Sequence, residues 1–371
     1  MIYLNNAATS YPKPACVLQM HARALAMPPN AQYRGAGEGK DALESCRASV
    51  AELLHIPDPA RVFFTSGATG ALNALIHSVL EEGGKIAATE TEHNSVLRPL
   101  ANLAEDYALL PCDASGVIDP KSVEDLPADT AAIFVSHCSN VTGTVQDLAA
   151  VTDAAHARGM LCIADVSQSA GCVPVDAAAW GVDALAFTGH KALLGPQGTG
   201  GFYLRKGLNL RPLLYGGTGR DSAKLTYGPD EYAYEAGTQN APGIAALDAG
   251  VRWVLDRTVE AIAREESLLA RRLRGGLEGI EGVTVYGKAG GGPVIGFNLS
   301  GIPPADAAYI LYESYGILLR SGLQCAPLIH RRIGAGERGV VRASLGPFTT
   351  AEDIDALIAA VSEITQGRSS V

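Results

Sequence analysis

Two side chains stand where carbonyl chemistry would need them, Lys191 and Asp165. Residues 183–205 read Asp-Ala-Leu-Ala-Phe-Thr-Gly-His-Lys-Ala-Leu-Leu-Gly-Pro-Gln-Gly-Thr-Gly-Gly-Phe-Tyr-Leu-Arg, an apolar run, a turn, a Gly/Pro-rich loop and a second apolar run. This pattern puts Lys191 in a turn between two buried strands. Poor solvation there favours the neutral amine, which is a usable nucleophile toward a carbonyl. The competing account is an ordinary surface lysine in a hairpin. Upstream, Leu161-Cys-Ile-Ala-Asp-Val-Ser-Gln168 reads as a buried strand ending in Asp165, with Gln168 one turn later. A carboxylate at the C-terminal end of a parallel strand lies where open α/β sheets bind their ligands.

Pyridoxal phosphate uses this pair: a lysine forms its Schiff base, and an aspartate keeps the pyridine nitrogen protonated so that the ring accepts electrons. The two motifs resemble those of the class V aminotransferase family of pyridoxal-phosphate enzymes, and within it the cysteine desulfurase and selenocysteine lyase branch. The resemblance spans nearly the whole chain. It runs from Tyr3-Leu-Asn-Asn-Ala-Ala-Thr9 through Phe64-Thr-Ser-Gly-Ala-Thr69, Glu92-His-Asn-Ser95, Ser139-Asn-Val-Thr-Gly-Thr144 and Tyr234-Glu-Ala-Gly-Thr238. It ends at Arg320-Ser-Gly-Leu-Gln-Cys-Ala-Pro327 and Val341-Arg-Ala-Ser344.

The resemblance implies fold type I of these enzymes, an α/β fold. A large domain carries a mostly parallel seven-stranded sheet flanked by helices, and a smaller α+β domain follows. It implies that Lys191 carries the cofactor, Asp165 meets the ring nitrogen, and His93 stacks on the ring and handles protons. Ala68, Thr69, Asn140, Gln168, Thr188 and His190 complete the cofactor site. Thr238 would reach the phosphate of the neighbouring subunit, which implies a homodimer with shared sites. Asn6, Asn140, Arg320 and Arg342 would hold the substrate, L-cysteine or L-selenocysteine. Cys325 would take the sulfur as a persulfide, leaving alanine. The short Cys-Ala-Pro loop is similar to that of the compact-loop second group, whose sulfur passes to an acceptor protein.

Several residues carry a reading of their own. Ser66-Gly-Ala-Thr69 puts small residues at a helix start, where free N–H groups and the helix dipole suit a phosphate, although an ordinary N-cap gives the same pattern. His93 lies in a loop after a strand, where a histidine is either a proton carrier or a structural residue. Cys325 follows a turn instead of sitting in an apolar run, and Arg320 is near enough in sequence to favour its thiolate; a packed loop cysteine is the plainer reading. The planar fork of Arg342 suits an α-carboxylate, or else a structural ion pair.

These residues need a scaffold to hold them. The N-terminal residues 1–14 read as an extended arm, because Pro12 and Pro14 exclude a helix. Residues 15–56 read as helical apart from the glycine-rich segment 33–41, which fails the P-loop pattern. Strands and helices then alternate to residue 205, the pattern of a mostly parallel sheet with helices on both faces. One long helical region is expected over 244–280, and strands near 283–286, 294–299, 317–320 and 340–345 belong to a smaller α+β unit. The domain division is accordingly 1–14 for the arm, 15–245 for the large domain and 246–371 for the small one.

Composition limits the alternatives. With 47% hydrophobic and 18% charged residues the chain is globular, and its net charge of −10 argues against nucleic acid as the main partner. Arg271, Arg272 and Arg274 read as the solvated side of a helix. The seven cysteines show no close pairing suited to disulfides or a metal, so most are expected as small core residues. No run is long enough to cross a bilayer, which makes a reducing cytoplasm the expectation. The chain departs from the resemblance at Asn5 in place of Asp, Gly37 where relatives commonly carry His, Gly70 in place of Glu and Gln324 in place of His. These departures keep three other readings open: selenocysteine lyase, a class V enzyme of different chemistry such as a transaminase or epimerase, and an inactive cofactor-binding sulfur carrier or regulator.

Overall fold

Apolar runs without polar alternation need cover on both faces. In the computed structural model, which describes residues 1–27, 42–218, 223–226 and 234–369, such runs form the middle of a seven-stranded sheet. In chain order the strands are β1 (Ile2–Tyr3), β2 (Val62–Thr65), β3 (Lys85–Thr89), β4 (Tyr107–Leu110), β5 (Thr130–Ser136), β6 (Leu161–Asp165), β7 (Ala184–Thr188) and β8 (Gly200–Leu204). They are followed by β9 (Val283–Val285), β10 (Val294–Leu299), β11 (Ile317–Leu318), β12 (Arg320–Gly322) and β13 (Val340–Ser344). The large sheet runs β2-β8-β7-β6-β5-β3-β4, and within it only β8 is antiparallel to its neighbours.

Alternation along β5 shows how both faces are covered. Ile133 and Val135 join a core with helices Ala42–Leu53, Leu148–Ala157 and Ala241–Arg257, while Ala132 and Phe134 join helices Ala68–Glu81 and Asn94–Leu103 on the other side. Glycine is required at 201, because a Cβ there would collide with the Phe63 carbonyl oxygen on β2. Register then sets the chemistry. Ser136 pairs with Asp165, and Asp165 pairs with Ala186, so the C-terminal ends of β5, β6 and β7 stand side by side. The loop from Thr188 to Lys191 leaves from that edge.

A second, antiparallel sheet, β12-β13-β10-β9, has its own core of Phe297, Leu311, Val341 and Leu357. The N-terminal arm joins this unit: β1 pairs in parallel with β11, and Leu4 is fully buried in the same core. The arm also reaches the large sheet, since the His190 carbonyl accepts hydrogen bonds from Ser10 N (3.0 Å) and Thr9 Oγ1 (3.1 Å).

Two sequence expectations are corrected. The region 244–280 is not one helix but two, Ala241–Arg257 and Val259–Glu278. The break is Thr258, which takes a left-handed φ of 62° and accepts a hydrogen bond from Ala261 N, so it ends one helix and caps the next. The expected strand 317–320 is likewise two, because β11 pairs with the arm and β12 pairs with β13. A division at residue 245 would cut helix Ala241–Arg257, whose Leu247, Val251 and Val254 pack in the large core. The passage between cores lies along Val259–Glu278, with Ile262 in the large core and Leu273 and Leu277 in the small one. The glycine-rich segment 33–41, with Gly37, lies outside the described residues.

A buried ion pair anchors the stretch before Thr238. Arg47, 1% exposed, grips Glu235 with Nη1 on Oε1 at 2.9 Å and Nη2 on Oε2 at 2.5 Å. Glu235 Oε1 also accepts from Phe64 N at 2.6 Å, tying helix Ala42–Leu53, β2 and residues 234–238 together. Glu235→Leu takes the two-point carboxylate away from a buried guanidinium whose ion pair with Glu44, at 3.3 Å, is with an exposed side chain, and denaturant unfolding should show a loss of about 3–5 kcal/mol. A loss within 1 kcal/mol or so would contradict this role for the pair.

Candidate active site

A cavity of roughly 340 Å³ opens where β5, β6 and β7 end. Its lining comes from four parts of the chain: the strand ends with Ser136, Asp165 and Thr188; the helix start at Ser66–Thr69; the arm residues Ala7 and Ala8; and Arg320, Gln324 and Arg342 of the small unit. His93, Asn140, Gln168, His190 and Lys191 line it as well. The fold therefore brings together most of the residues named from the sequence.

Lys191 is half-buried in the cavity wall, and desolvation there pushes its amine down to about 8, with Arg342 and Arg320 pressing the same way and Asp165 opposing them. The lysine is thus far closer to its nucleophilic form than a surface lysine. Asp165 is 7% exposed and its Oδ1 accepts from Ser167 N at 2.9 Å. His93 is driven down to about 4, first by burial and then by the Lys191 charge. It is neutral at pH 7, and its Nδ1 accepts from Ser95 N at 3.0 Å, which leaves the ring proton on Nε2. Ser95 Oγ lies 2.8 Å from both His93 Nδ1 and Thr69 Oγ1, so it connects the histidine to the helix start.

The residues present fit a phosphorylated aldehyde cofactor. Helix Ala68–Glu81 begins at Gly67, which has a φ of 147° and gives no side-chain cap, so its first N–H groups remain available to an anion. His190 Nδ1 and Ser167 Oγ, both on the cavity lining, are buried without a partner. Unsatisfied polar atoms of this kind are costly unless something fills the space beside them. Gln168 is held by its Nε2 on the Ala7 carbonyl at 3.0 Å.

Opposite the lysine stands an unusual pair. Arg320 on β12 and Arg342 on β13 are register partners, and no acidic side chain forms an ion pair with either among the described residues. Burial and the Arg320 charge lower Arg342 to about 9. Arg342 gives Nη1 to the Asn140 carbonyl (2.9 Å) and Nη2 to Asn5 Oδ1 (3.1 Å), while its Nε has no partner. Two adjacent arginines thus line the cavity, an arrangement of guanidinium groups that suits a carboxylate.

Three expected site residues stand elsewhere. Asn6 is not among the residues lining this cavity: its Nδ2 donates to the Ser344 carbonyl (3.2 Å) and its Oδ1 accepts from Tyr11 N (3.2 Å). The carbonyl-bonded arm turns Ala7 and Ala8 inward instead. Thr238 is exposed and lines a neighbouring cavity of roughly 320 Å³ that shares Ser66, Gly70 and Gly198 with the first. Cys325 stands at the edge, next to lining residue Gln324, with Arg320 Nη2 donating to its Sγ at 3.6 Å. The other cysteines apart from Cys16 are buried.

Sequence reasoning gave no role to Ser95, Ser136, Ser167 or Glu92. Glu92 is fully buried, accepts from Thr89 Oγ1 (2.6 Å), Ser136 N (2.7 Å) and Ser136 Oγ (2.8 Å), and is raised to about 8 by burial. It fixes the His93 loop to β5. The cap of helix Asn94–Leu103 is His93, and Ser95, the second helical residue, supplies the amide that this cap accepts, so no serine-cap pattern marks it in the sequence. Nothing local marks Ser136, which reaches the site only through its pairing with Asp165.

In cofactor-free protein, labelling of Lys191 by trinitrobenzenesulfonate should rise with pH through a midpoint near 8 and level off above it, because only the deprotonated amine reacts. Asp165→Asn removes the charge that favours the protonated form and should move that midpoint lower. A midpoint near the ordinary lysine value of about 10.4 would refute the burial argument.

Comparison with known proteins agrees with this geometry. The family model described as Aminotransferase class-V matches residues 2–357. A protein named probable cysteine desulfurase from Pseudomonas putida is 33% identical, covering 97% of this chain and 93% of that one. One of the same name from Methanothermobacter thermautotrophicus is 32% identical, covering 87% of this chain and 83% of that one. Among solved structures, the apo cysteine desulfurase from Thermococcus onnurineus NA1 superposes with a TM-score of 0.87 at 29% identity, over 99% of this chain and 95% of that one. The Escherichia coli cysteine desulfurase CsdA in its S-sulfonic acid form gives 0.87 at 26% identity, over 98% and 94%. A half-buried lysine that shares a cavity with a strand-end aspartate, an uncapped helix start and a match along almost its whole length together mean that this chain belongs to the class-V aminotransferase family.

Proposed function

We propose that the chain is a pyridoxal-phosphate-dependent cysteine desulfurase, which converts L-cysteine to L-alanine and leaves the sulfur on Cys325 as a persulfide. The observation that carries this reading is the placing of Cys325, at the edge of a cavity that also holds Lys191 and two arginines, with an arginine nitrogen 3.6 Å from its sulfur. Its relatives' names point the same way.

Lys191, Asp165, the Ala68–Thr69 helix start, Thr188, His190 and Gln168 would hold the cofactor, with Asn140 and His93 beside it. When bound, pyridoxal phosphate supplies an electron sink for the bonds to the substrate's α-carbon. The protein supplies the rest. Arg342, with Arg320, takes the substrate carboxylate in two-point fashion and fixes which bond faces Lys191. The free amine of Lys191 removes the α-proton, and neutral His93 holds a proton on Nε2 for return to the product. Acting as its thiolate, Cys325, whose sulfur lies 3.6 Å from Arg320 Nη2, forms a new bond to the substrate sulfur. The carbon–sulfur bond breaks with its electron pair left on carbon, which gains a proton to become alanine.

The proposal extends to partners. Exposed Thr238 and the exposed side chains of Leu214 and Tyr215 beside the second cavity suit a symmetric homodimer in which Thr238 serves the neighbour's phosphate. The persulfide would be handed to an acceptor protein. No helix among the described residues is long and apolar enough to cross a membrane, and seven unpaired cysteines suit a reducing cytoplasm.

Mass spectrometry after incubation of the cofactor-loaded protein with L-cysteine should find an added sulfur atom on the Cys325 peptide. Cys325→Ala should lower alanine formation from L-cysteine by about a hundredfold or more. Unchanged alanine formation in that variant would eliminate the persulfide route. Arg342→Ala should raise KM for L-cysteine by about tenfold to a hundredfold, through loss of a charged hydrogen-bond pair. An unchanged KM would remove its carboxylate role.

A further inference from the structure

The cysteine loop holds two consecutive non-glycine residues in the left-handed region, Gln324 with φ 53° and Cys325 with φ 60°. Side chains resist this conformation, so something must hold the turn. Gln324 is 3% exposed and sits at the junction of the two units. Its Nε2 donates to the Gly322 and Val340 carbonyls, both at 3.2 Å, with the Arg320 carbonyl farther off at 3.5 Å, which ties the loop to β12 and β13. Its own carbonyl accepts from Asn140 Nδ2 at 2.5 Å, and the next carbonyl, of Cys325, accepts from Asn94 N at 2.7 Å. The side chain therefore binds the small unit, while the two left-handed peptides bind the large one.

We infer that Gln324 is a positioning residue: its side-chain amide latches the loop in the left-handed turn that docks Cys325 against the cavity. An amide suits this place because one nitrogen carries two protons for two carbonyl oxygens, and it does so at any pH. Its Oε1 is buried without a partner, and that cost is tolerated for the sake of the two N–H bonds. The catalytic consequence rests on the desulfurase reading; the latch itself does not.

Three variants test it. Gln324→Leu keeps the bulk and removes the donor, Gln324→Ala removes both, and Gln324→Gly removes the side chain while making the left-handed backbone easy. Hydrogen exchange of the segment 322–326, read by mass spectrometry on cofactor-free protein whose circular dichroism matches wild type, should speed up by about tenfold in each, glycine included. In the cofactor-loaded protein, single-turnover persulfide formation on Cys325 should fall by about tenfold, while KM for L-cysteine stays within about twofold. Wild-type exchange rates in the leucine and glycine variants would overturn the latch. If wild-type protein forms no persulfide, the desulfurase reading fails, and the exchange arm still decides the latch. Should one variant not fold, the other two carry the comparison.

Discussion

A primary amine set half-buried in a cavity wall, where it is poorly hydrated, is the constraint around which the molecule is arranged. An ammonium loses its hydration when buried, and here Arg342 and Arg320 add to that penalty while Asp165 offsets part of it. A lysine balanced between two cations and an acid is a reactive base and nucleophile. The balance exists only because three strands end in register and because the small unit delivers its two arginines across the cavity from them.

The same economy explains the arm. Its backbone pairs with β11, its Asn5 takes a guanidinium nitrogen of Arg342, and its Ser10 and Thr9 hold the carbonyl next to Lys191. A short N-terminal stretch thus couples the lysine loop to the arginine strand. The asparagine at position 5 does this without adding a negative charge beside Arg342. That leaves the arginine's charge for a ligand, which gives one departure from the family pattern a physical sense.

Much of this was legible in the sequence. Asp165 ends an apolar run and Lys191 follows one, and such runs mark strand ends reliably; the sheet, its mostly parallel order and the small α+β unit followed from the same alternation. Harder to read were features decided by competition between partners. Asn6 reads as a site residue, but the Ser344 carbonyl and the Tyr11 amide occupy its side chain. Thr258 is unremarkable in a helical run, yet its hydroxyl caps the following helix and breaks the region in two. Ser136 and Glu92 enter through cross-strand register, which no local pattern encodes.

The account stands on the amine of Lys191 being the point of covalent attachment for an aldehyde cofactor. Purified protein resupplied with pyridoxal phosphate, reduced with borohydride and digested, reports that attachment peptide by peptide. The account expects the added mass on the peptide carrying Lys191, and its absence from that peptide after Lys191→Ala. Attachment at another lysine, or no stable adduct at all, would contradict it.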